Sequence, residues 1–353
     1  MEPTESKNRF VDSVILTQFG EYDSIKVKKS LLEPDCCDKF EIEVKVTYWG
    51  VNFADIYLRK GLIPNIKLPS VIGLECIGVV ENIGSEVQLF TKGQRVLCYS
   101  GTGGLYRSVV IIHQKYCFLV PDEIEDEIAV ALPANYLTAY FSLFHIGNLR
   151  EGEKVLVHSC AGGVGWAITQ LAKTLNNVTV VGTASNSKHE EVRKNGVTHV
   201  VNSNNYQEEL RSNKITSEYV FDVIIDNIGG HNIDISLSLL NTFGRVVVIG
   251  ANHIISGEKK LNFLQFMKSW WNTKNIRVVD LIINNWIVAG LNLANLIENT
   301  PEKVHDVMNI IFEMCINGKI KPRIDSVYNI NEVTDAMKKL ANRKNIGKVI
   351  IKI

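Results

Sequence analysis

A doubly wound parallel α/β sheet is the fold class that the middle of this 353-residue sequence predicts. Three observations carry it. Residues 154–158 are an apolar run leading into the glycine-rich string Ser-Cys-Ala-Gly-Gly-Val-Gly at 159–165. A helical pattern over 166–176 and a second apolar run over 177–182 complete one strand–helix–strand unit. Further short apolar runs recur at 198–202, 219–226 and 245–250, with helical stretches such as 187–194 and 233–240 between them. Parallel strands buried on both faces have this texture.

The glycine-rich turn is the first element with chemical content. Gly162 lets the backbone come close to a pyrophosphate, and Gly163 and Gly165 let the helix pack against the strand. Together with Ala161 and Val164 they place free N–H groups at a helix N-terminus, where an anion binds. Cys160 stands where the first glycine of G-x-G-x-x-G would be. The turn points to a dinucleotide. At the end of the second run, an Asp or Glu would accept hydrogen bonds from the ribose 2′-hydroxyl of NAD. Gly182-Thr-Ala-Ser185 contains neither and leaves room for a 2′-phosphate. Lys188 follows, either as a solvated lysine or as the counter-charge of that phosphate. NADPH is the expected cofactor.

The flanking regions differ in texture. Alternating segments at 41–46 and 95–99, punctuated by Gly73, Gly78, Gly84 and Gly93, predict a β-rich domain. From about Gly318 the chain returns to that texture and ends in a strand-like run at 348–353. The cofactor domain is therefore expected as an insertion: residues 137–292 within a catalytic domain made of 1–136 and 293–353. Residues 278–297 are apolar but broken by Asp280, Asn284, Asn285, Asn292 and Asn295, and read as strands.

Composition narrows the function classes. Lys+Arg 38 against Asp+Glu 38 gives no net field to draw nucleic acid or an anionic membrane. The seven cysteines form no C-x-x-C pair, and their odd number favours reduced thiols in a cytoplasmic setting. Residues 1–10 do not read as a secretory signal, and no uninterrupted run of about 18 apolar residues reads as a transmembrane segment. His145, His158 and Cys160 read as packing residues. One stripe stands apart: Phe263, Phe266, Met267, Trp270 and Trp271 share a helical face flanked by Lys259, Lys260, Lys268 and Lys274. A flap beside a substrate cleft, a dimer contact and a peripheral membrane contact through 259–274 are its three readings.

Nearly the whole chain resembles the zinc-free quinone oxidoreductases of the medium-chain dehydrogenase/reductase superfamily. The motifs are Gly50-Val-Asn-Phe-Ala-Asp-Ile-Tyr57, Gly73-Leu-Glu75, Gly93-Gln-Arg-Val96, Leu137-Thr-Ala-Tyr140, Ala161-Gly-Gly-Val-Gly165 and Asp226-Asn-Ile-Gly-Gly230. Within it, Gly182-Thr-Ala-Ser-Asn-Ser-Lys-His189, Trp270-Trp-Asn272 and Ile320-Lys-Pro-Arg-Ile-Asp-Ser326 resemble the vesicle amine transport protein branch. The resemblance implies a GroES-like catalytic domain around a Rossmann cofactor domain, and hydride transfer from NADPH to a small quinone or activated enone. It implies Asn52 and Tyr57 at the reacting end. For the cofactor it implies Thr138, Ile249, Gly250, Ser185, Ser203 in place of a tyrosine, and Arg343 or Asn345 in place of an arginine. The resemblance implies that zinc-dependent relatives carry ligands where this chain has Asn52 and Leu74 and near Ala134, so no metal is expected, and no four closely spaced cysteines offer a structural site. A homodimer through an edge strand at 286–291 is a further implication. The branch also implies a rival reading: a catalytically weak nucleotide-binding regulator, cytoplasmic or peripheral on vesicle or mitochondrial outer membranes.

Overall fold

Alternation in the first 120 residues becomes a set of antiparallel strands. They are β1 (Phe10–Leu16), β2 (Ile25–Leu31), β3 (Glu41–Val51), β4 (Ser70–Val71), β5 (Glu75–Ile83), β6 (Arg95–Tyr99), β7 (Val109–His113) and β8 (Cys117–Leu119). The computed structural model describes residues 9–32, 37–63, 65–212, 220–252 and 276–353. In β3, Ile42, Val44 and Val46 are buried in the core, while on the other face Lys45 is exposed and Glu43 is buried against Arg9. β3 pairs with both β5 and β7, and its register sets Gly50 opposite Glu75. Trp49 stacks on Tyr106 in the core beneath, with ring centroids 4.9 Å apart.

The middle of the chain forms β9 (Lys154–Val157), β10 (Thr179–Ala184), β11 (His199–Asn202), β12 (Phe221–Asp226), β13 (Leu240–Val248) and β14 (Ile287–Gly290). They lie in the order β11-β10-β9-β12-β13-β14, and every neighbouring pair is parallel. Val155 and Val157 pack into one core cluster and Leu156 into another, so β9 is covered on both faces. This explains why it reads as an unbroken apolar run. The strand order reverses between β9 and β12, the point at which a doubly wound sheet opens a crevice beyond its carboxyl ends.

The last strands, β15 (Ile324–Asn329) and β16 (Lys348–Lys352), leave the cofactor sheet. β16 runs antiparallel to β3 and completes a seven-stranded sheet with the N-terminal strands. Residue 348 is thereby carried beside residue 52.

One expectation is corrected. Residues 278–297 form a helix (Val278–Asn284), the edge strand β14 and a second helix (Leu293–Asn299), rather than strands throughout. Two of the asparagines that interrupt the apolar run end and begin helices. Asn285 takes the left-handed conformation (φ 54°) that closes the first helix, and the Asn292 side chain accepts from Asn295 N–H at the start of the second. The aromatic stripe at 263–271 lies outside the described residues. Among the described residues no helix is long and apolar enough to cross a membrane.

Candidate active site

At the end of β9 the chain turns through Ser159 (φ 56°), and Gly162 N–H bonds back to Ser159 O at 2.9 Å. The helix Gly163–Ala172 begins there. Its glycines have separate reasons. A Cβ at Gly165 would stand 2.5 Å from Ser159 O, and one at Gly163 would stand 2.5 Å from the Asn135 side chain, so both positions are fixed by packing. A Cβ at Gly162 would meet only Ser159 O at 3.4 Å. Gly162 is the glycine whose outer face is open for a ligand.

Above this loop lies a cavity of about 580 Å³, at the switch between β9 and β12. Ser159 and Asn227, one from each strand end, line it, with Ser159 Oγ 3.4 Å from Asn227 Oδ1. Ala161, Gly162, Gly163, Val164, Gly165, Ser185, Lys188, Ser203 and Asn345 line it too, as does Asn52. Thr138, Gly182, Ile249, Gly250 and Tyr57 are outside its wall. Gly182 lies underneath, where a Cβ would stand 2.5 Å from Cys160 Sγ; the thiol fills that space, and burial pushes it up to about 12. Ile249 packs against the core, and Gly250 lies against Asn227 rather than facing the opening. His158 is buried beside Asn232, in keeping with a packing role.

Among the described lining residues are four cations, Lys188, Arg343, Lys344 and Lys348, and no carboxylate. Lys188 is not a free counter-charge. Its ammonium donates to Arg343 O at 2.6 Å and Asn345 O at 2.7 Å, and burial lowers its pKa from the usual lysine value. It ties the second β–α turn of the cofactor sheet to the C-terminal run. That run is tied again where Gly347 N–H donates to Ala161 O at 2.9 Å. The cations exposed along the same run are Arg343, held at φ 53°, and Lys344.

The opposite end of the cavity is built differently. Asn52 precedes the short helix Phe53–Arg59, and the Asp55 carboxylate reaches back to Asn52 N–H at 2.8 Å. The amide of Asn52 is spent inside the protein. Nδ2 donates to Glu75 Oε1 at 2.8 Å and Gly50 O at 3.3 Å, and Oδ1 accepts from Lys348 Nζ at 2.6 Å. Lys348 also pairs with Glu75, whose other oxygen accepts from Ala134 N–H at 3.0 Å. Tyr57 is equally committed: its hydroxyl donates to Asn252 Oδ1 at 2.8 Å and accepts from Ala251 N–H at 3.2 Å. Burial raises its pKa. Asp55 is wholly buried against Tyr106, and burial pushes its carboxyl up to about 7. Sequence reasoning overlooked Lys348, Lys344, Asn227 and Asn252. Asn227 lies within the motif quoted at 226–230, which gives it no role, and only the meeting of β3 with β16 makes Lys348 visible.

Comparison with known proteins places this architecture. The synaptic vesicle membrane protein VAT-1 homolog of Danio rerio is 39% identical over 342 residues, spanning 96% of this chain and 69% of that protein. The chain belongs to the VAT-1 family of medium-chain dehydrogenases/reductases. Residues 38–122 match the alcohol dehydrogenase GroES-like domain, and residues 195–351 match a family described as zinc-binding dehydrogenase. The crystal structure of the human VAT-1 homolog-like protein superposes with a TM-score of 0.83 at 32% identity, covering 98% of each chain. Escherichia coli quinone oxidoreductase, crystallised with NADPH, gives a TM-score of 0.83 at 26% identity, covering 97% of this chain and all (100%) of that one. The cofactor sheet is thus a Rossmann domain joined to a GroES-like domain.

The family description raises zinc, and the residues present do not fit it. Leu74 and Ala134 offer no side-chain donor, and Asn52 turns its amide to Glu75 and Lys348. A lysine ammonium adjoins all of this, where a divalent ion would be repelled. Among the described residues no group of three His, Cys, Asp or Glu side chains could hold a metal ion.

Proposed function

We propose that this protein is a zinc-independent oxidoreductase that binds NADPH and reduces a quinone or an activated enone. The observation that carries the reading is the cavity wall: a helix N-terminus and the exposed cations Arg343 and Lys344, with no carboxylate among the described lining residues. Such a wall suits a ligand with several phosphates. The 162–165 loop would hold the pyrophosphate, while Ser185, Ser203, Arg343 and Lys344 would surround the 2′-phosphate and Lys188 would brace the loop between them. Reduced nicotinamide, when bound, supplies the hydride. The protein's part is to orient and to exclude water, for which Val51 and Phe53 give an apolar wall beside Asn52. The Escherichia coli relative crystallised with NADPH supports the cofactor assignment.

The assembly belongs to the same proposal. β14 is the edge of the cofactor sheet, and Val278, Val279, Ile282, Ile283 and Ile287 stand exposed beside it. A twin strand pairing there would give a two-fold homodimer and cover that surface. Light scattering at micromolar concentration checks it, and a monomeric mass would refute it.

A second reading has its own observation: the donors of Asn52 and Tyr57 are satisfied within the protein. On that reading the protein is a nucleotide-binding regulator with little turnover, cytoplasmic or at a vesicle surface, in line with the names of its relatives. Stopped-flow oxidation of bound NADPH by a panel of small quinones and enones separates the two. Oxidation no faster than in free solution with every acceptor would discard the reductase.

A further inference from the structure

Lys348 is 3% exposed and Glu75 is fully buried. Two charges taken out of water need a reason, because well-packed apolar residues usually serve stability as well or better. The surroundings are built for this pair. A Cβ at Gly50 would stand 2.3 Å from Glu75 Oε1, so only glycine leaves the carboxylate its place opposite on the sheet. The Asn52 amide is oriented by its partners: the ammonium can only donate, so it takes the oxygen, and the carboxylate and the Gly50 carbonyl take the two N–H groups. An ammonium has three N–H bonds. Asn52 and Glu75 account for two, and among the described residues no partner is recorded for the third. Lys348 lines the cavity beside Asn52, whose own donors are used up.

The location is telling. Asn52 accepts from the ammonium, Leu74 immediately precedes the carboxylate, and Ala134 N–H binds that carboxylate's second oxygen. Asn52, Leu74 and Ala134 therefore adjoin one ion pair. We infer that Lys348 is the oxyanion-binding group of this site. The inference rests on the reductase reading for its chemistry. The C–H bond of reduced nicotinamide breaks, its electron pair and hydrogen pass to the acceptor, and the acceptor is left with an anionic oxygen. Lys348 donates its remaining N–H to that oxygen, and water supplies the neutralising proton. Glu75 and Asn52 are positioning residues: they hold the ammonium at the cavity wall.

The test needs no turnover. 4-Nitrophenol, whose phenolate absorbs in the visible, is titrated against the full chain with NADP⁺ present. The protein should favour phenolate over phenol by about tenfold, seen as a fall of about one unit in the bound phenol's pKa. The double variant Lys348→Met/Glu75→Gln leaves no charge unpaired and should return that pKa to its free value, while Lys348→Arg should keep most of the shift. Circular dichroism confirms that each variant is folded. Absence of binding to the wild type, an unshifted pKa, or a shift that survives in the double variant would overturn the inference. Failure of the reductase reading appears separately, as wild-type protein that perturbs nitrophenol yet transfers no hydride to any quinone or enone.

Discussion

At the end of the cavity proposed for the nucleotide, Arg343 and Lys344 stand exposed on the C-terminal run, whereas at the other end Lys348 is buried against Glu75. Exposed cations act through a field that water and salt weaken, and their exact placement matters little. A buried ammonium acts through geometry, and it survives only with a partner to offset its lost hydration. One cavity thus has an end that attracts and an end that positions. Lys188 stands between them in character: half-buried, cationic, and used to join two stretches of backbone.

The sharpest way to break this contrast is to remove one partner of the buried pair. Lys348→Ala leaves Glu75 uncompensated and should cost about 3–5 kcal/mol in denaturant unfolding. The double replacement by Met and Gln should recover most of it. Equal midpoints for wild type and Lys348→Ala would mean that the pair is not buried in solution.

Next comes Asp55, which belongs to the same buried end. Its folded carboxyl, at about 7, lies above the ordinary aspartate value near 4, so the folded state binds more protons across that interval. Stability contributed by the protonated form is complete below about pH 4 and is lost as pH rises through about 7, with a slope of up to about 1.4 kcal/mol per pH unit. Urea titrations across this window should show the decline in wild type and a flatter profile in Asp55→Asn. Identical slopes would remove Asp55 as the cause.

The glycine loop offers a smaller and more selective test. Gly165→Ala drives a methyl into backbone at Ser159 and should destabilise the fold by about 1–3 kcal/mol. Gly162→Ala has room and should change stability by less than about 0.5 kcal/mol. Both should weaken NADPH in a binding titration. A Gly162→Ala variant that binds NADPH as tightly as wild type would show that the backbone there does not approach the ligand.

The smallest effects are expected among the exposed cations. Arg343→Ala should cost NADPH about 1 kcal/mol, leave NADH nearly unchanged, and lose its effect in high salt. Lys188→Ala should cost about 1–2 kcal/mol and weaken both nucleotides, because it frees the carbonyls of Arg343 and Asn345. The sequence alone suggested a loss confined to NADPH. Calorimetry with both nucleotides distinguishes a brace from a phosphate ligand.

The β9–turn–helix unit is legible in the sequence because its determinants are local. An apolar run long enough for one strand, glycines at set spacings and a helical pattern fix conformation within a dozen residues. The missing acid after β10 is legible for the same reason. Thr138, Gly182, Ile249 and Gly250 were placed near the cofactor by motif, yet the cavity wall passes them by, since a motif gives no direction to a side chain or a strand end. The asparagines at 285 and 292 were misread because they serve strand ends and helix caps equally well, and only the neighbouring backbone settles which.

By itself, then, the sequence determined the two sheet textures, the glycine-rich turn and the lack of a side-chain metal donor at Leu74 and Ala134, all matters of residue type at a given place. Only the tertiary structure decided that Asn52, Glu75 and Lys348 meet. Lys348 is 296 residues from Asn52 and 273 from Glu75 along the chain, and the three meet because β16 returns to pair with β3 while β3 pairs with β5. Hydrogen bonding and burial depend on distance in space, and no local pattern encodes a contact closed over that length of chain.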